Sequence, residues 1–260
     1  MSHSLDSTDA TWLKEVAALD RSYVAREPPP DKHLLGGRFR VGRALGRGGM
    51  GAVYEAFDAQ RGQRVALKTL TRLRPEHLFS LKNEFRALSD VSHPNLVSLH
   101  GLYCDADFWF LTMDYVPGVT LRDALAAGGE VHALFGQLAA GIAALHDAAR
   151  LHRDLKPSNV MVTPDGHLTI VDFGLSRDTA SDAACAGAER FWGTPAYMAP
   201  ELRRGEPAGI PAEWYAFGVM LREALARQRA DAPLEPLRAL LRRDRGRHRA
   251  HLAGRVLRRP

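Results

Sequence analysis

Apolar positions divide the chain into a first part that predicts strands and a second part that predicts mostly helices. Strand patterns begin at residue 39, continue after the glycines at 46–51, and return at about 96–103 and 108–114. Residues 76–91 interrupt them with a helical pattern. Its predicted apolar face consists of Phe79, Leu81, Phe85, Leu88 and Val91. Pro117 and Gly118 follow the last of these strands and mark the boundary between the two parts.

The second part contains one long apolar stripe at helical spacing. It predicts a helix over residues 131–146 whose core positions are Val131, Leu134, Phe135, Leu138, Ile142 and Leu145. A shorter helix is predicted at 121–125. Two strands, at 160–162 and 168–171, are joined by a turn that contains Pro, Asp and Gly. Residues 214–221 are apolar on all sides, which predicts a buried helix.

Length and composition limit the class of protein. A chain of 260 residues allows one large domain or two small lobes, and 45% hydrophobic residues suffice for a core. No apolar run approaches the roughly 18 residues of a membrane span, and the polar N-terminus does not resemble a signal peptide. Cys104 and Cys185 are the only cysteines and show no metal spacing. We therefore expect a cytoplasmic protein that does not associate with membranes.

The two ends of the chain differ in composition from its middle. Residues 1–36 are an extension, either an amphipathic helix before a stiff spacer at Pro28, Pro29 and Pro30 or a disordered leader. Residues 227–260 carry eleven arginines against three acids, a charge of +8 in a chain of net +5. A basic tail can bind nucleic acid, but no aromatic residue stands among these arginines to stack on bases. We therefore expect a solvated end and no nucleic-acid partner.

The strongest chemical signal is the stretch 152–159, which reads His-Arg-Asp-Leu-Lys-Pro-Ser-Asn. Asp154 offers a carboxylate that can accept a hydroxyl proton, and Lys156 offers a cation. Asn159 and Asp172, the latter in a Val-Asp-Phe-Gly stretch, offer oxygen ligands for Mg²⁺. Phosphoryl transfer needs these groups, because its transition state is stabilised by positioning and charge.

The glycine pattern at 46–51 has two interpretations. In a dinucleotide-binding fold such glycines open a helix, whereas here Ala-Val-Tyr-Glu-Ala-Phe follows and predicts a second strand. That favours a hairpin over phosphates, where backbone N–H groups approach closely. Lys68 falls inside the next apolar strand, where a lysine is costly unless it is paired. Taken alone it is better explained as an outward-facing lysine, but beside the other motifs it indicates a phosphate ligand.

In their order along the chain these motifs resemble the protein kinase family. Residues 193–201, Gly-Thr-Pro-Ala-Tyr-Met-Ala-Pro-Glu, are similar to the end of a kinase activation segment, and Lys156 is similar to the Ser/Thr-specific, bacterial-type branch. The resemblance covers about residues 38–226. It implies an α+β, two-lobed kinase fold with a small β-rich N-lobe at 37–116 and one main helix there. A mainly helical, shortened C-lobe would follow at 117–226, with a remnant of it at 227–260.

The resemblance implies a role for each catalytic residue. Asp154 would position and deprotonate the substrate hydroxyl, and Lys156 would steady the γ-phosphate of ATP. Lys68, paired with a glutamate of the N-lobe helix, would hold the α- and β-phosphates. Glu84 fits that glutamate better than Glu76, because Glu76 lies in the predicted first turn, where the helix dipole already favours an acid.

The same resemblance implies an ATP site beside the metal ligands Asn159 and Asp172. Met113 is similar to the gatekeeper residue of the adenine pocket, and the backbone of Asp114 and Val116 would bond the adenine edge. The predicted nucleotide-binding residues are Gly46, Gly48, Gly49, Gly51, Val53, Ala66, Lys68, Met113, Asp114, Val116, Thr120 and Met161.

Regulation is also implied by the resemblance. Arg153 precedes the catalytic acid, and in the family such an arginine binds a phosphate on the activation segment. Thr179 and Ser181 are the expected phosphate acceptors. Thr194 has two interpretations, a structural contact to the catalytic loop, which fits better, and a further phosphate acceptor. We expect a protein substrate, and a regulatory partner could bind through the N-terminal extension or the Arg-rich tail.

Two departures from the family pattern leave the degree of activity open. Glu213 stands where the family usually has the Asp that anchors the catalytic loop, so the extra methylene is either absorbed or loosens the loop. Only 34 residues follow residue 226, and His248 stands where the family has the arginine that pairs with Glu201. The two alternatives are an active Ser/Thr kinase and a kinase-fold scaffold with little turnover. Inactive relatives usually lose one of Lys68, Asp154 and Asp172, and all three are present here, which favours the enzyme.

Overall fold

The structure, a computed structural model of the chain, describes residues 2–4, 32–48, 51–70, 78–105, 108–173 and 194–231. The chain falls into two compact units, residues 1–221 and residues 222–260. The elements below belong to the first unit, except that the last helix continues into the second. In the described ranges no helix is long and apolar enough to cross a membrane. The predicted N-terminal helix and residues 232–260 of the tail lie outside the described residues.

Seven strands among the described residues form one antiparallel sheet, in the order β1-β6-β7-β5-β4-β3-β2. They are β1 (Ser2–Ser4), β2 (His33–Leu34), β3 (Phe39–Gly48), β4 (Gly51–Asp58), β5 (Gln63–Thr69), β6 (Leu99–Asp105) and β7 (Phe108–Asp114). The glycine pattern does form a hairpin, because β3 pairs with β4 and Gly48 lies opposite Gly51. In the next pair Val53 lies opposite Lys68, so the hairpin is held beside that lysine.

A core of aromatic rings and one buried ion pair holds this sheet. The rings of Phe39, Tyr103 and Phe110 pack with centroids 5.1–5.6 Å apart. Arg38 donates hydrogen bonds to both carboxylate oxygens of buried Asp58, at 3.1 and 3.0 Å, and to the Tyr103 hydroxyl at 3.1 Å. Burial alone would raise the pKa of the Asp58 carboxyl, but hydrogen bonds from Arg38 and the following backbone hold it below its ordinary value.

Helix α1 (Leu78–Ser89) contacts β6 and carries Glu84. Leu81, Phe85 and Leu88 are buried as predicted, whereas Phe79 is 67% exposed. The prediction that Phe79 belongs to the apolar face is therefore wrong. Two residues of an α-helix turn about 200°, so Phe79 points away from the side on which Leu81 is buried. Residues 76 and 77 of the predicted helix lie outside the described residues.

The helices that follow β7 form the second half of the domain. After α2 (Leu121–Ala126) comes α3 (Val131–Asp147), and its six predicted stripe residues are all buried. Helix α3 packs on strand β10, described next. A Cβ added to Gly141 of α3 would lie 2.8 Å from Ile170 Cδ1 and 3.1 Å from the Asn95 carbonyl oxygen. The absent side chain therefore lets the helix approach the neighbouring chain closely.

A small antiparallel sheet carries the predicted chemical residues. Its strands are β8 (Val119–Thr120), β9 (Val160–Val162) and β10 (Leu168–Ile170), in the order β10-β9-β8. A 3₁₀ turn, Pro157–Asn159, leads into β9. The Val171 N–H donates to the Asn159 carbonyl oxygen at 2.9 Å. The predicted hairpin is present, and it brings Asn159 and Asp172 to the same end.

The last described elements are α4 (Pro200–Arg203) and α5 (Ile210–Asp231). The prediction that residues 214–221 are buried on all sides is wrong in part, because Trp214 and Tyr215 are each 37% exposed. The buried positions Ala212, Ala216 and Val219 recur every three or four residues. Within the described part of the chain, α5 therefore buries one side only.

Candidate active site

Asp154 lies in the loop between α3 and β9, and its neighbours in that loop hold it. Lys156 Nζ lies 2.8 Å from Asp154 Oδ2. Asn159 Nδ2 donates to the Asp154 carbonyl oxygen at 2.9 Å and to Oδ2 at 3.2 Å. The Asp154 N–H donates to His152 Nδ1 at 3.2 Å, so His152 Nε2 carries its proton towards the Val171 carbonyl oxygen at 3.0 Å. The carboxylate thus faces one cation and one amide.

Asp172 reaches the same region from the end of the β9–β10 hairpin. Its φ of +65° lies in the left-handed region, which Asp tolerates better than most residues. The next residue, Phe173, is buried with its ring centroid 5.6 Å from that of His152. The hairpin therefore sets a carboxylate and the amide of Asn159 at adjoining positions.

Lys68 and Glu84 do not form the predicted pair. Lys68 Nζ forms its ion pair with Asp172 Oδ1, and Glu84 Oε1 lies 3.2 Å from Arg153 Nη1. This corrects the expected partner of Lys68, which is buried on β5. The physical reason is competition between two cations. Arg153 occupies the Glu84 carboxylate, and the buried ammonium of Lys68 is neutralised by Asp172 instead.

The Glu84 carboxylate is only partly satisfied. Its Oε2 is buried and finds no hydrogen-bond partner among the described residues. Burial raises the pKa of Glu84 above its ordinary value, against the opposing effect of the positive charges of Arg153 and Arg150. A buried carboxylate oxygen without a hydrogen-bond donor is costly. Glu84 Oε2 can therefore still accept a hydrogen bond from a second donor.

Glu213 anchors the catalytic loop. Its Oε1 accepts the Arg153 backbone N–H at 2.7 Å, and its Oε2 lies 2.8 Å from His146 Nε2 on α3. Both side chains are buried. The extra methylene of Glu213 is therefore absorbed by a contact that braces the carboxylate on a neighbouring helix. His146 was missed from the sequence, although a histidine in the last turn before a catalytic loop was a usable signal.

The glycine hairpin forms one wall of the site. Gly51 has φ of +134°, and a Cβ there would lie 2.0 Å from the Thr69 carbonyl oxygen, so the position requires glycine. The sheet aligns the other predicted nucleotide residues in register, as Gly46 with Val53, Val53 with Lys68, and Ala66 with Met113. Gly49 lies outside the described residues.

Asp114 begins the segment that joins the large sheet to the small one. Its N–H donates to the Ser98 carbonyl oxygen at 3.0 Å, and its Oδ1 lies 2.8 Å from His100 Nε2. The hydrogen bond from His100 is the main reason that the pKa of the Asp114 carboxyl is below its ordinary value. Because the N–H is occupied, a backbone contact from Asp114 to adenine would have to use its carbonyl oxygen. Val116 follows in the same segment.

Thr120 caps helix α2. Its Oγ1 accepts the Asp123 N–H at 3.3 Å and donates to Asp123 Oδ2 at 2.6 Å. The predicted contact of Thr120 with the nucleotide therefore competes with a capping role that already uses the hydroxyl. Met161, another predicted nucleotide residue, pairs with Thr120 in the small sheet.

An open cavity of about 50 Å³ adjoins Asp154. Arg153, Thr194, Tyr197, Met198 and Glu213 are among its lining residues. Thr194 lines this cavity together with Arg153 and Asp154, and it is exposed. Its expected structural contact to the catalytic loop stays a prediction. The expected phosphate acceptors Thr179 and Ser181 lie outside the described residues.

Comparison with known protein families shows which family the chain belongs to. The model of the protein kinase domain matches residues 39–233, three quarters of the 260-residue chain. This chain belongs to the protein kinase family. Serine/threonine-protein kinase pkn2 of Myxococcus xanthus is 37% identical over 79% of the chain, and PrkC of Bacillus subtilis is 31% identical over 74%. The chain covers only 26% and 31% of the lengths of these two bacterial kinases.

Solved kinase structures have the same fold. The PknI kinase domain of Mycobacterium tuberculosis matches with a TM-score of 0.57 and 26% identity, covering 74% of each chain. The predicted α+β, two-lobed kinase fold is thereby confirmed, whereas the predicted domain boundaries stay predictions. A protein kinase domain uses ATP as the phosphoryl donor and typically requires a divalent metal ion.

Proposed function

We propose that this kinase transfers the γ-phosphoryl group of ATP to serine and threonine hydroxyls of protein substrates. The observation that carries the proposal is the Asp154 carboxylate, which Lys156 and Asn159 hold at the edge of an open cavity. A substrate segment lying along Thr194 and Met198 would present its hydroxyl to that carboxylate. The relatives named above support the choice of serine and threonine, since both are named serine/threonine-protein kinases.

Each group has one task in the proposed reaction. The substrate oxygen bonds to the γ-phosphorus while its proton passes to Asp154. The bond between that phosphorus and the bridging oxygen breaks, and ADP leaves with the electron pair. Lys156 and Lys68 place positive charge against the phosphates and so offset the charge of the transition state.

Asp172 and Asn159 would hold the divalent metal, which we take to be Mg²⁺. A carboxylate and an amide oxygen suit this ion, which binds one or two protein oxygen ligands together with substrate phosphates. When bound, Mg²⁺ neutralises charge on the β- and γ-phosphates. The glycine hairpin and the residues aligned with it would enclose the nucleotide, with Met113 at the back of the adenine pocket.

Regulation of this kinase would act through the segment 176–194. A phosphate on Thr179 or Ser181 carries close to two negative charges and pairs readily with an arginine such as Arg153. Protein partners could bind the N-terminal extension or the Arg-rich tail. The low cysteine content, two residues in 260, favours a cytoplasmic setting.

A phosphotransfer assay with matched aspartate variants tests the function. The purified chain is incubated with labelled ATP, Mg²⁺ and a generic basic protein. We expect Asp154→Asn to lower transfer by at least about a hundredfold, the lower range for a lost general base. Nucleotide affinity should stay within a few-fold, because Asp154 faces the hydroxyl and not ATP.

Asp147→Asn is the matched control, because Asp147 is an exposed aspartate at the end of α3. It should transfer phosphate like the unaltered chain. Asp172→Asn should instead lose Mg²⁺-dependent nucleotide binding. Substantial transfer by Asp154→Asn would refute its role, and an unaltered chain that binds ATP without transfer would favour the scaffold alternative.

A further inference from the structure

Exposed side chains of β3, β4 and β5 form a positively charged cluster on one face of the large sheet. Arg40 lies opposite Phe57, and Phe57 lies opposite Arg64, so the three residues form a row across these strands. Directly opposed residues of neighbouring strands point to the same face, and all three are exposed. The guanidinium carbon of Arg40 lies 5.7 Å from the centre of the Phe57 ring.

A second group of side chains adjoins this row and links it to Tyr115, in the segment after β7. Glu55 is shared by two arginines, since its Oε2 lies 3.0 Å from Arg43 Nε and its Oε1 lies 3.4 Å from Arg64 Nη1. Arg43 also donates to the Tyr115 hydroxyl at 3.2 Å, and the guanidinium carbon of Arg64 lies 5.1 Å from the centre of the Tyr115 ring. The two groups together form the arginine patch, which consists of Arg40, Arg43, Glu55, Phe57, Arg64 and Tyr115.

The arginine patch has more positive charge than its own carboxylate neutralises. Three arginines against one glutamate leave a net charge of +2. The side chains of Arg43 and Arg64 are 69% and 62% exposed. A guanidinium has five N–H donors, and the contacts above use two of those of Arg43 and one of those of Arg64. The patch can therefore bind further carboxylates.

The chain itself contains an acidic segment of suitable charge. Residues 5–31 lie outside the described residues and carry six acids against three basic residues, a net charge of −3. The six acids are Asp6, Asp9, Glu15, Asp20, Glu27 and Asp31.

The end of this segment is fixed beside the patch. It continues into Lys32, whose carbonyl oxygen accepts the Val41 N–H at 3.0 Å. Strand β2 runs antiparallel to β3, with His33 opposite Arg40. Because the chain therefore runs against the direction of β3, it comes to Lys32 from the side on which Arg43 lies.

We propose that the arginine patch is a docking surface for residues 5–31 of the same chain. Asp31 and Glu27 are the acids nearest to the patch along the chain. Their carboxylates bind Arg43 and Arg64, whose exposed guanidinium groups offer pairs of N–H donors. An acidic segment of another protein would have to displace this one, which is tethered and therefore present at a high effective concentration.

The docked segment lies at the edge of the proposed ATP site. Glu55 lies opposite Ala66, which is one of the predicted nucleotide-binding residues. Docking itself needs no phosphoryl transfer, so the proposal stands apart from the proposed function. Its test therefore detects the contact and not turnover.

Photo-cross-linking of the full chain tests the contact. Phe57→p-benzoylphenylalanine keeps an aromatic ring in the patch, and we expect irradiation to link position 57 to residues 5–31 within one chain, as mapped by mass spectrometry. Phe79→p-benzoylphenylalanine is the control, because Phe79 is exposed on α1, and it should give no such link. At about 1 M salt, where the Debye length is about 3 Å, the link from position 57 should be lost.

Variants without the arginines separate charge from tethering. In the chain with the photoreactive residue, Arg43→Gln with Arg64→Gln should lower the yield of the link about threefold or more, since two exposed ion pairs are lost. Arg86→Gln with Arg227→Gln removes the same charge at exposed positions outside the patch and should leave the yield unchanged. Because the tether is the same in every chain, equal yields from the two double variants would overturn the proposal.

An exchange of charges tests the partners directly. Glu27→Lys with Asp31→Lys should lower the yield of the link, and the further changes Arg43→Glu with Arg64→Glu should restore it. The proposal is wrong if position 57 gives no link to residues 5–31, if it links only two separate chains, or if the link survives at high salt. The salt series uses no charge variant, so it decides the outcome even if thermal unfolding shows that a variant is not folded.

Discussion

Several buried charges among the described residues of this kinase have a specific partner. Asp58 is an example, since Arg38 donates to both of its carboxylate oxygens and two backbone N–H groups of the next turn donate as well. The pair ties the start of β3 to the end of β4. It therefore stabilises the hairpin from the end opposite to the glycines.

The lowered pKa of Asp58 predicts an acid-sensitive contribution to stability. A carboxyl whose pKa is depressed on folding stabilises the fold above its unfolded pKa, about 3.9. That contribution is lost as the pH falls through the lower folded value. We expect Asp58→Asn to be less stable at pH 7 and its stability to fall less steeply than that of the unaltered chain below about pH 5. Urea unfolding at several pH values measures this.

The control for Asp58 is Asp90→Asn. Asp90 is exposed after α1. The free energy of unfolding of Asp90→Asn should therefore stay within about 0.5 kcal/mol of that of the unaltered chain at pH 7. Parallel pH profiles for Asp58→Asn and the unaltered chain would mean that the charge of Asp58 is not what stabilises the hairpin.

At this scale the sequence predicted which residues carry charge but not which ones pair. The kinase motifs indicated four charged residues of the site, Lys68, Glu84, Arg153 and Asp172. Spacing along the chain does not tell which of two carboxylates a buried cation contacts, because the answer depends on where α1 lies relative to the loop. Glu213 was likewise recognised as a departure, and only the position of His146 on α3 explains why it fits.

At the scale of elements, α3 was predicted best. Its apolar residues recur at helical spacing over sixteen residues that contain no proline, and the predicted core positions are the ones buried. Phe79, Trp214 and Tyr215 were mispredicted because an apolar side chain does not by itself show which side of a helix has a neighbour. The hairpin of β9 and β10 was predictable because its turn residues have their own conformational preferences.

The two glycines inside α3 predict opposite effects of the same substitution. A Cβ at Gly136 would meet nothing within 4 Å, so Gly136→Ala should raise the free energy of unfolding by about 0.5–1 kcal/mol. Gly141→Ala gains the same helix propensity but presses on Ile170 and the backbone of Asn95. Overpacking costs about 1–3 kcal/mol, so Gly141→Ala should be less stable than Gly136→Ala and than the unaltered chain.

Chemical denaturation of both variants and of the unaltered chain at one pH gives the change in the free energy of unfolding for each substitution. Each variant is the control for the other, since they share residue type and helix. Equal stabilisation by both substitutions would show that α3 does not approach β10 as closely as the structure has it.

For the whole molecule, the exposed side of α5 predicts limited stability. Ile210, Trp214 and Tyr215 leave apolar surface exposed on a helix that the sequence predicted to be buried. We expect thermal unfolding of the chain below about 60 °C, within the range of mesophile domains. Differential scanning calorimetry measures it, and a single cooperative transition above that temperature would contradict the expectation.

The bonds of Asp114 have a consequence for motion between the lobes. Because its N–H and its carboxylate bond to Ser98 and His100, we expect the main chain up to Asp114 to move with the seven-stranded sheet. On the other side, a Cβ at Gly118 would lie 2.2 Å from the Val162 carbonyl oxygen, so the Gly118 backbone lies close against β9, and we expect it to move with the small sheet. The pivot that we expect is thus residues 115–117, and the ring of Pro117 fixes its φ. A rotation of one half of the domain against the other would therefore have to use the remaining backbone torsion angles of residues 115–117.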